Sequence, residues 1–183
     1  MTNTSSSDPV TSDLDYLYPA LGRLVTASAA MESSLRDVVS RLAGSDDAAW
    51  IIFEGQSVDW LVSNGLAVLT QREPMERWPT QIVAQFREAL NNAQTAYRTR
   101  NIMIHGEWRT DCFMGEGCIG RSAPVPADGP VFHVHRSRYR KGLEERQLAI
   151  VDIEALAEHM RELEYELRAA MKKADDAWLG SIA

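Results

Sequence analysis

The chain has 183 residues, a net charge of -7 and two cysteines, and 45% of its residues are hydrophobic. This length suits one folded domain with its own core, and so few cysteines exclude a disulfide-rich scaffold. The negative charge argues against a protein that coats nucleic acid through a general positive field.

The sequence has no secretory signal pattern and no uninterrupted apolar run long enough to span a bilayer. We therefore expect a cytoplasmic protein that makes no membrane contact. Residues 1–12 are polar and are expected to form a disordered tail, which leaves 13–183 as a single domain.

Helical spacing of apolar residues predicts a first long helix over 14–42, with Ser28 standing on its apolar stripe. A helical segment at 49–53 precedes a second helix, for which Ser57 is the expected N-cap. Residues 72–80 hold two prolines and are predicted to connect this helix to the next one.

A third long helix is predicted from Thr80, its expected N-cap, to His105. Gly106 is suited to the position after a helix, so His105 lies in the last turn, where the negative end of the helix dipole favours imidazolium. The predicted apolar stripe alternates steps of four and three, which places Arg100 where a core residue belongs. It consists of Phe86, Leu90, Ala93, Tyr97, Arg100 and Ile104.

Residues 107–151 are predicted to form a small β insertion, because they show partial alternation and too few apolar residues for a separate core. Asp152 is the expected cap of a last amphipathic helix. The predicted fold is therefore mainly α: a bundle of four to five helices with a β hairpin or strand insertion between the last two long helices.

The end of the third helix carries side chains suited to phosphate chemistry. Arg100 offers a planar guanidinium for a phosphate, Asn101 offers a donor and an acceptor, and His105 can exchange protons near neutral pH. Such groups could cut RNA without a metal, with a base for the 2′-hydroxyl, an acid for the leaving oxygen and a cation for the phosphorane. A twofold dimer would supply the second histidine.

The stretch "RNIMIH", an Arg-x4-His motif with a polar residue after the arginine, resembles the signature of HEPN domains. The resemblance implies a helical bundle that dimerises and a metal-independent endoribonuclease of toxin–antitoxin, phage-defence or RNA-processing type, with an antitoxin-like protein as a further partner. It implies Arg100 and His105 as the catalytic pair and Asn101 as their helper. Glu32, on the first helix, would orient a motif arginine.

Two residues beside the motif are assigned supporting roles. Arg98 fits a longer Arg-x6-His spacing, so the choice of arginine stays open, and Tyr97 precedes Arg100 on the predicted stripe. The alternative function is a non-catalytic module that binds a nucleotide, a protein or a second copy. In it, Arg100 forms a buried ion pair with a carboxylate such as Glu32, and His105 caps the helix.

Residues 98–141 contain eight basic and four acidic residues, so this part of the chain is locally positive. Its basic and aromatic side chains are candidates for RNA binding, with a solvated turn as the alternative. These candidates are Arg109, Arg136, Arg138, Tyr139, Arg140 and Lys141.

His133 and His135 alternate on a predicted strand and should share one face. With Cys112 and Cys118 they could form a zinc site, but the cysteine spacing is wider than usual, so a solvated strand face is the default. We expect no metal and no cofactor.

Overall fold

The computed structural model describes residues 13–44, 51–76, 78–110, 130–138 and 142–180. Its elements, in chain order, are α1 (Asp13–Ala43), α2 (Val58–Glu76), α3 (Thr80–His105), β1 (Glu107–Arg109), β2 (Val131–Arg138), β3 (Gly142–Ala149) and α4 (Ile150–Gly180). Residues 51–53 are also helical. The predicted class is confirmed, because the chain is mainly α and a small antiparallel sheet lies between α3 and α4.

The core forms where α1 packs along α4 and α3 packs against both. Leu24 and Leu35 of α1, Phe86 of α3, and Met160 and Leu163 of α4 are fully buried. Removing an aliphatic side chain of this size from water contributes about 1.5–3 kcal/mol. These contacts hold α3 in a fixed orientation, and its C-terminal end carries the motif.

The expected start of α2 is confirmed, because the Trp60 amide donates to Ser57 Oγ across 3.2 Å. The expected connection over 72–80 is too long, since α2 continues through Pro74 to Glu76 and the next helix begins at Thr80. A proline inside a helix removes a backbone hydrogen bond to the turn before it. Two hydrogen bonds to other helices hold that turn of α2. Arg72 donates to the Leu42 carbonyl (2.8 Å), and Glu73 accepts from Arg87 (3.1 Å).

Two predicted caps need correction. Thr80 is the first residue of α3, while Pro79 is the N-cap and makes no side-chain capping bond. Helix α4 starts at Ile150, before Asp152, whose carboxylate accepts a hydrogen bond from the Ala149 amide across 2.7 Å. Asp152 therefore caps the helix from its third position, as the acidic residue of a capping box does.

The sheet has the strand order β1-β2-β3, and both pairings are antiparallel. Its inner face carries Trp108, Phe132 and Val134. Phe132 and Val134 are completely buried, and the Trp108 ring meets the Phe132 ring edge-on at 5.7 Å. Packing against the helical core thus holds the three described strands in place.

Several sequence predictions concern residues outside the described ones. They include the N-terminal tail (1–12), Cys112 and Cys118, and Tyr139, Arg140 and Lys141 of the basic stretch. Among the helices described above, none has the length and apolarity needed to cross a membrane.

Candidate functional site

Arg100 lies on the inner side of α3. Ala96, four residues before it, and Met103, three residues after it, are both buried. The predicted stripe needs a correction at its end, since Tyr97 and Ile104 are only half-buried. The stripe instead runs through Ala96 and Met103, and Arg100 still occupies a core position between them.

All the described partners of the Arg100 guanidinium are neutral. Its Nε donates to Ser28 Oγ (3.2 Å) and its Nη1 to Asn101 Oδ1 (3.0 Å), while its Cζ lies 5.2 Å from the centre of the Tyr97 ring. Among the described residues no carboxylate lies within ion-pair distance of it. The positive charge of Arg100 is therefore left for an anion from outside the described chain.

Ser28, a buried residue of α1, accepts the hydrogen bond from the Arg100 Nε. Its hydroxyl donates to the Val25 carbonyl across 2.9 Å, so its oxygen lone pair is directed to the Arg100 Nε. This serine marked a break in the apolar stripe of α1 in the sequence. That break was the available signal for a polar contact between helices.

Glu32, the carboxylate named for an ion pair with Arg100 in the alternative function, binds other residues instead. Its carboxylate accepts a hydrogen bond from the Tyr97 hydroxyl (2.8 Å) and pairs with Arg36 (3.0 Å). In the described structure, Glu32 therefore reaches Arg100 only through the Tyr97 ring.

The same contacts perturb Tyr97. Burial, followed by the hydrogen bond to Glu32 and the negative charge of that carboxylate, raises the pKa of Tyr97 above its ordinary value. The positive charges of Arg100 and Arg36 oppose the rise. Tyr97 is thus held as a neutral phenol that donates to Glu32 and presents its ring to Arg100.

Arg98, the second candidate arginine, faces the surface beside α2. Its Nε and Nη2 both donate to Asp59 Oδ1, at 3.2 and 2.9 Å, and its side chain is 60% exposed. This carboxylate already neutralises Arg98. Arg100 is consequently the motif arginine with charge available for a ligand.

His105 is the last residue of α3 and is exposed. Gly106 follows in extended backbone (φ −82°, ψ 152°). The sequence had placed it as a helix-ending glycine, but the left-handed conformation that favours glycine at such a position is not adopted here. Glycine is required because of close packing: an added Cβ would lie 2.3 Å from Val134 Cγ1 and 2.6 Å from the Ile102 carbonyl oxygen. Val134 of β2 therefore packs directly against Gly106, the residue that follows His105.

Trp108 stabilises the same C-terminal end of α3 through a side-chain hydrogen bond. Its indole N–H donates to the Met103 carbonyl across 2.7 Å, which satisfies one of the carbonyls that a helix leaves unpaired at its C-terminus. Together, Trp108 and the packing at Gly106 fix the backbone that carries His105. The sequence identified His105 but not this support.

His105 is five positions after Arg100 in the helix, which amounts to about 7.5 Å of rise and about 140° of rotation. Arg100 turns towards α1, whereas His105 projects into solvent. One copy of the chain therefore presents the two groups in different directions.

His133 and His135 share the outer face of β2, as predicted, but these two side chains are buried rather than solvated. Their side chains are only 8% exposed, and their rings stack with centres 6.4 Å apart. Glu145 of β3 contacts both, with its Oε1 3.4 Å from His133 Nδ1. In the described part of the chain, no group of three or more potential ligands is arranged to hold a metal ion.

The RNA-binding candidates fall in different places. Arg109 on β1 lies 3.7 Å from Glu107. Arg136 and Arg138 belong to β2 rather than to a turn, because the strand extends to Arg138. They do not form one continuous described patch.

Comparisons of the chain with protein-family models, with the curated proteins and with solved structures return no match.

Proposed function

We propose that this protein is a metal-independent endoribonuclease of HEPN type. The proposal is supported mainly by Arg100, a half-buried guanidinium whose described partners are Ser28, Asn101 and the Tyr97 ring, all of them neutral. Other arginines of the described chain, such as Arg98, already bind carboxylates. A phosphate is an anion that the guanidinium can bind through two parallel hydrogen bonds.

In the proposed reaction His105 removes the proton from the ribose 2′-hydroxyl, and the 2′-oxygen attacks the adjacent phosphorus. The bond to the 5′-oxygen breaks after an imidazolium protonates that oxygen, and a 2′,3′-cyclic phosphate remains. Arg100 stabilises the negative charge of the phosphorane, and Asn101 holds Arg100 through its side-chain oxygen.

A second copy of the chain would complete this site. Because Arg100 and His105 of one copy face different directions, we propose a groove between two copies, to which each copy contributes its own Arg100 and His105. Exposed apolar side chains support this arrangement, because Leu14, Tyr18 and Val25 lie at helical spacing along the side of α1 next to Ser28. The biological setting that we propose is a cytoplasmic toxin or phage-defence system, with an antitoxin-like protein as inhibitor.

The test is cleavage of a labelled single-stranded RNA in EDTA, followed by identification of the 3′ ends. We expect the wild type to leave cyclic phosphates and His105→Ala to leave the RNA intact. Arg100→Gln should lower the rate roughly 100- to 1000-fold, as the loss of one oxyanion-stabilising donor does. Arg98→Gln is the matched control and should cut normally. Equal cleavage by His105→Ala and the wild type would reject the proposal.

The alternative is a non-catalytic module in which the same helix end binds a nucleotide or a protein. The bond between Arg100 and Ser28 favours it, since this bond also joins α3 to α1. Under this alternative, Arg100→Gln lowers the melting temperature or splits the dimer, and the wild type never cuts RNA. Circular dichroism melts and a sizing column distinguish the two functions.

A further inference from the structure

Arg136 occupies a position on β2 where the pattern of the strand calls for a core residue. Phe132 and Val134 precede it on the inner face and are fully buried, and Arg136 itself is half-buried. Its Nη1 is shielded from solvent, and no hydrogen-bond acceptor among the described residues reaches it. A desolvated N–H without an acceptor costs free energy, so a ligand that supplies an acceptor would favour a turn of this half-buried side chain that brings the N–H to the surface.

The strand register places Arg136 beside the end of α3. Glu107 pairs with His135, so one further step along the antiparallel ladder brings Gly106 level with Arg136. Val134, on the same face of β2, lies against the position where Gly106 would carry a Cβ. The backbone of Arg136 therefore lies level with the residue that follows His105 at the end of α3.

Arg136 shares one property with Arg100: neither is paired with any carboxylate whose side chain the structure describes. Both belong to the same end of the bundle, one from α3 and one from β2. A ligand with two anionic groups can pair with one arginine through each of them. An RNA strand provides such groups at regular intervals, whereas a single phosphate does not.

We infer that Arg136 binds a second phosphate of the RNA strand, next to the phosphate that is cut at Arg100 and His105. The inference rests on the proposed function and extends it, because it sets the shortest good substrate at two consecutive phosphodiesters. The β insertion would then contribute directly to substrate binding.

The experiment measures binding without cleavage, using fluorescent oligonucleotides whose 2′-oxygens are methylated. A dinucleotide has one phosphodiester, and a trinucleotide has two. We expect the wild type to bind the trinucleotide about tenfold more tightly, since a charge-assisted contact of this kind corresponds to roughly that ratio. Arg136→Gln should remove this preference, leave dinucleotide binding unchanged and reduce the salt slope for the trinucleotide by about 0.7.

Two controls separate binding from a structural role. Glu144 is the backbone partner of Arg136 on β3. If Arg136 served only a cross-strand ion pair, Arg136→Gln and Glu144→Gln would lower the melting temperature alike, and the preference for two phosphodiesters would survive; that result overturns the inference. Failure of the trinucleotide to bind at millimolar concentration also overturns it.

The binding and cleavage measurements together distinguish failure of this inference from failure of the proposed reaction. If the wild type shows the two-phosphodiester preference but cuts no RNA, the proposed reaction fails and the role of Arg136 stands. If the wild type cuts RNA and Arg136→Gln keeps the preference, the role of Arg136 fails and the nuclease stands.

Discussion

The Tyr97 ring stacks under Arg100, with its centre 5.2 Å from the guanidinium carbon, while its hydroxyl donates to Glu32 across 2.8 Å. One side chain of α3 thus joins a carboxylate of α1 to the proposed catalytic arginine. Arg36 holds the other oxygen of that carboxylate at 3.0 Å. The position of Arg100 therefore depends on residues that do not touch it.

Replacing Tyr97 tests this dependence. Tyr97→Phe keeps the ring beneath Arg100 but loses the hydrogen bond to Glu32, so we expect about 1 kcal/mol less stability in urea unfolding. Tyr97→Leu also removes the cation–π contact, which adds a loss of about 0.5–1 kcal/mol. The rate of RNA cleavage should fall further in Tyr97→Leu than in Tyr97→Phe. Equal rates in the two variants would contradict a role for the ring.

The raised pKa of Tyr97 links stability to alkaline pH. The folded state binds this proton more tightly than the unfolded state, so the stabilisation is fully present below the ordinary tyrosine pKa of about 10. It is lost as the pH rises through the higher pKa of the folded state. Glu32→Gln removes the negative charge but not the burial, so the pKa of Tyr97 should fall only part of the way. Titration of ¹³C-labelled tyrosine by NMR, assigned with Tyr97→Phe, measures this; an unchanged pKa in Glu32→Gln would refute the coupling.

The long helices and the core position of Arg100 could be predicted from the sequence, but the hydrogen-bond partners of Arg100 could not. Periodicity along α3 places Arg100 among core residues, because that depends only on the helical repeat. Which residue of α1 meets it depends on how the two helices cross and rotate, so Ser28 as the partner of Arg100, and Tyr97 as the partner of Glu32, could not be derived. The burial of His133 is a further example, since alternation alone cannot tell which faces of a sheet are covered.

Gly106→Ala should destabilise the protein although its backbone angles suit alanine. The new Cβ would overlap Val134 Cγ1 and the Ile102 carbonyl oxygen, at 2.3 and 2.6 Å, and β2 must move to make room. We expect a loss of about 1–3 kcal/mol in thermal or urea unfolding. Gly22→Ala is the control, because nothing lies within 4 Å of its added Cβ and alanine favours a helix interior, so that variant should gain up to about 1 kcal/mol.

The double variant Gly106→Ala with Val134→Ala identifies which contact matters. Removing the Val134 methyl groups relieves one overlap but leaves the backbone oxygen of Ile102 in place. The double variant should therefore stay less stable than Val134→Ala alone. If the double variant were as stable as Val134→Ala alone, the overlap with Val134 would account for the entire loss of stability. The Ile102 carbonyl would then not restrict the residue at position 106.

Trp108→Phe separates the hydrogen bond of this ring from its packing. Phenylalanine can keep the edge contact with Phe132 but cannot donate to the Met103 carbonyl, so we expect a loss of about 1 kcal/mol. Because Met103 lies two residues before His105, the last turn of α3 should open more often, and RNA cleavage should fall. Amide hydrogen exchange over residues 103–107 measures this opening. Trp60→Phe, where the indole packs on Phe53, is the control and should leave exchange at that helix end unchanged. If both variants exchanged like the wild type there, the Trp108 bond would not be what holds His105 in place.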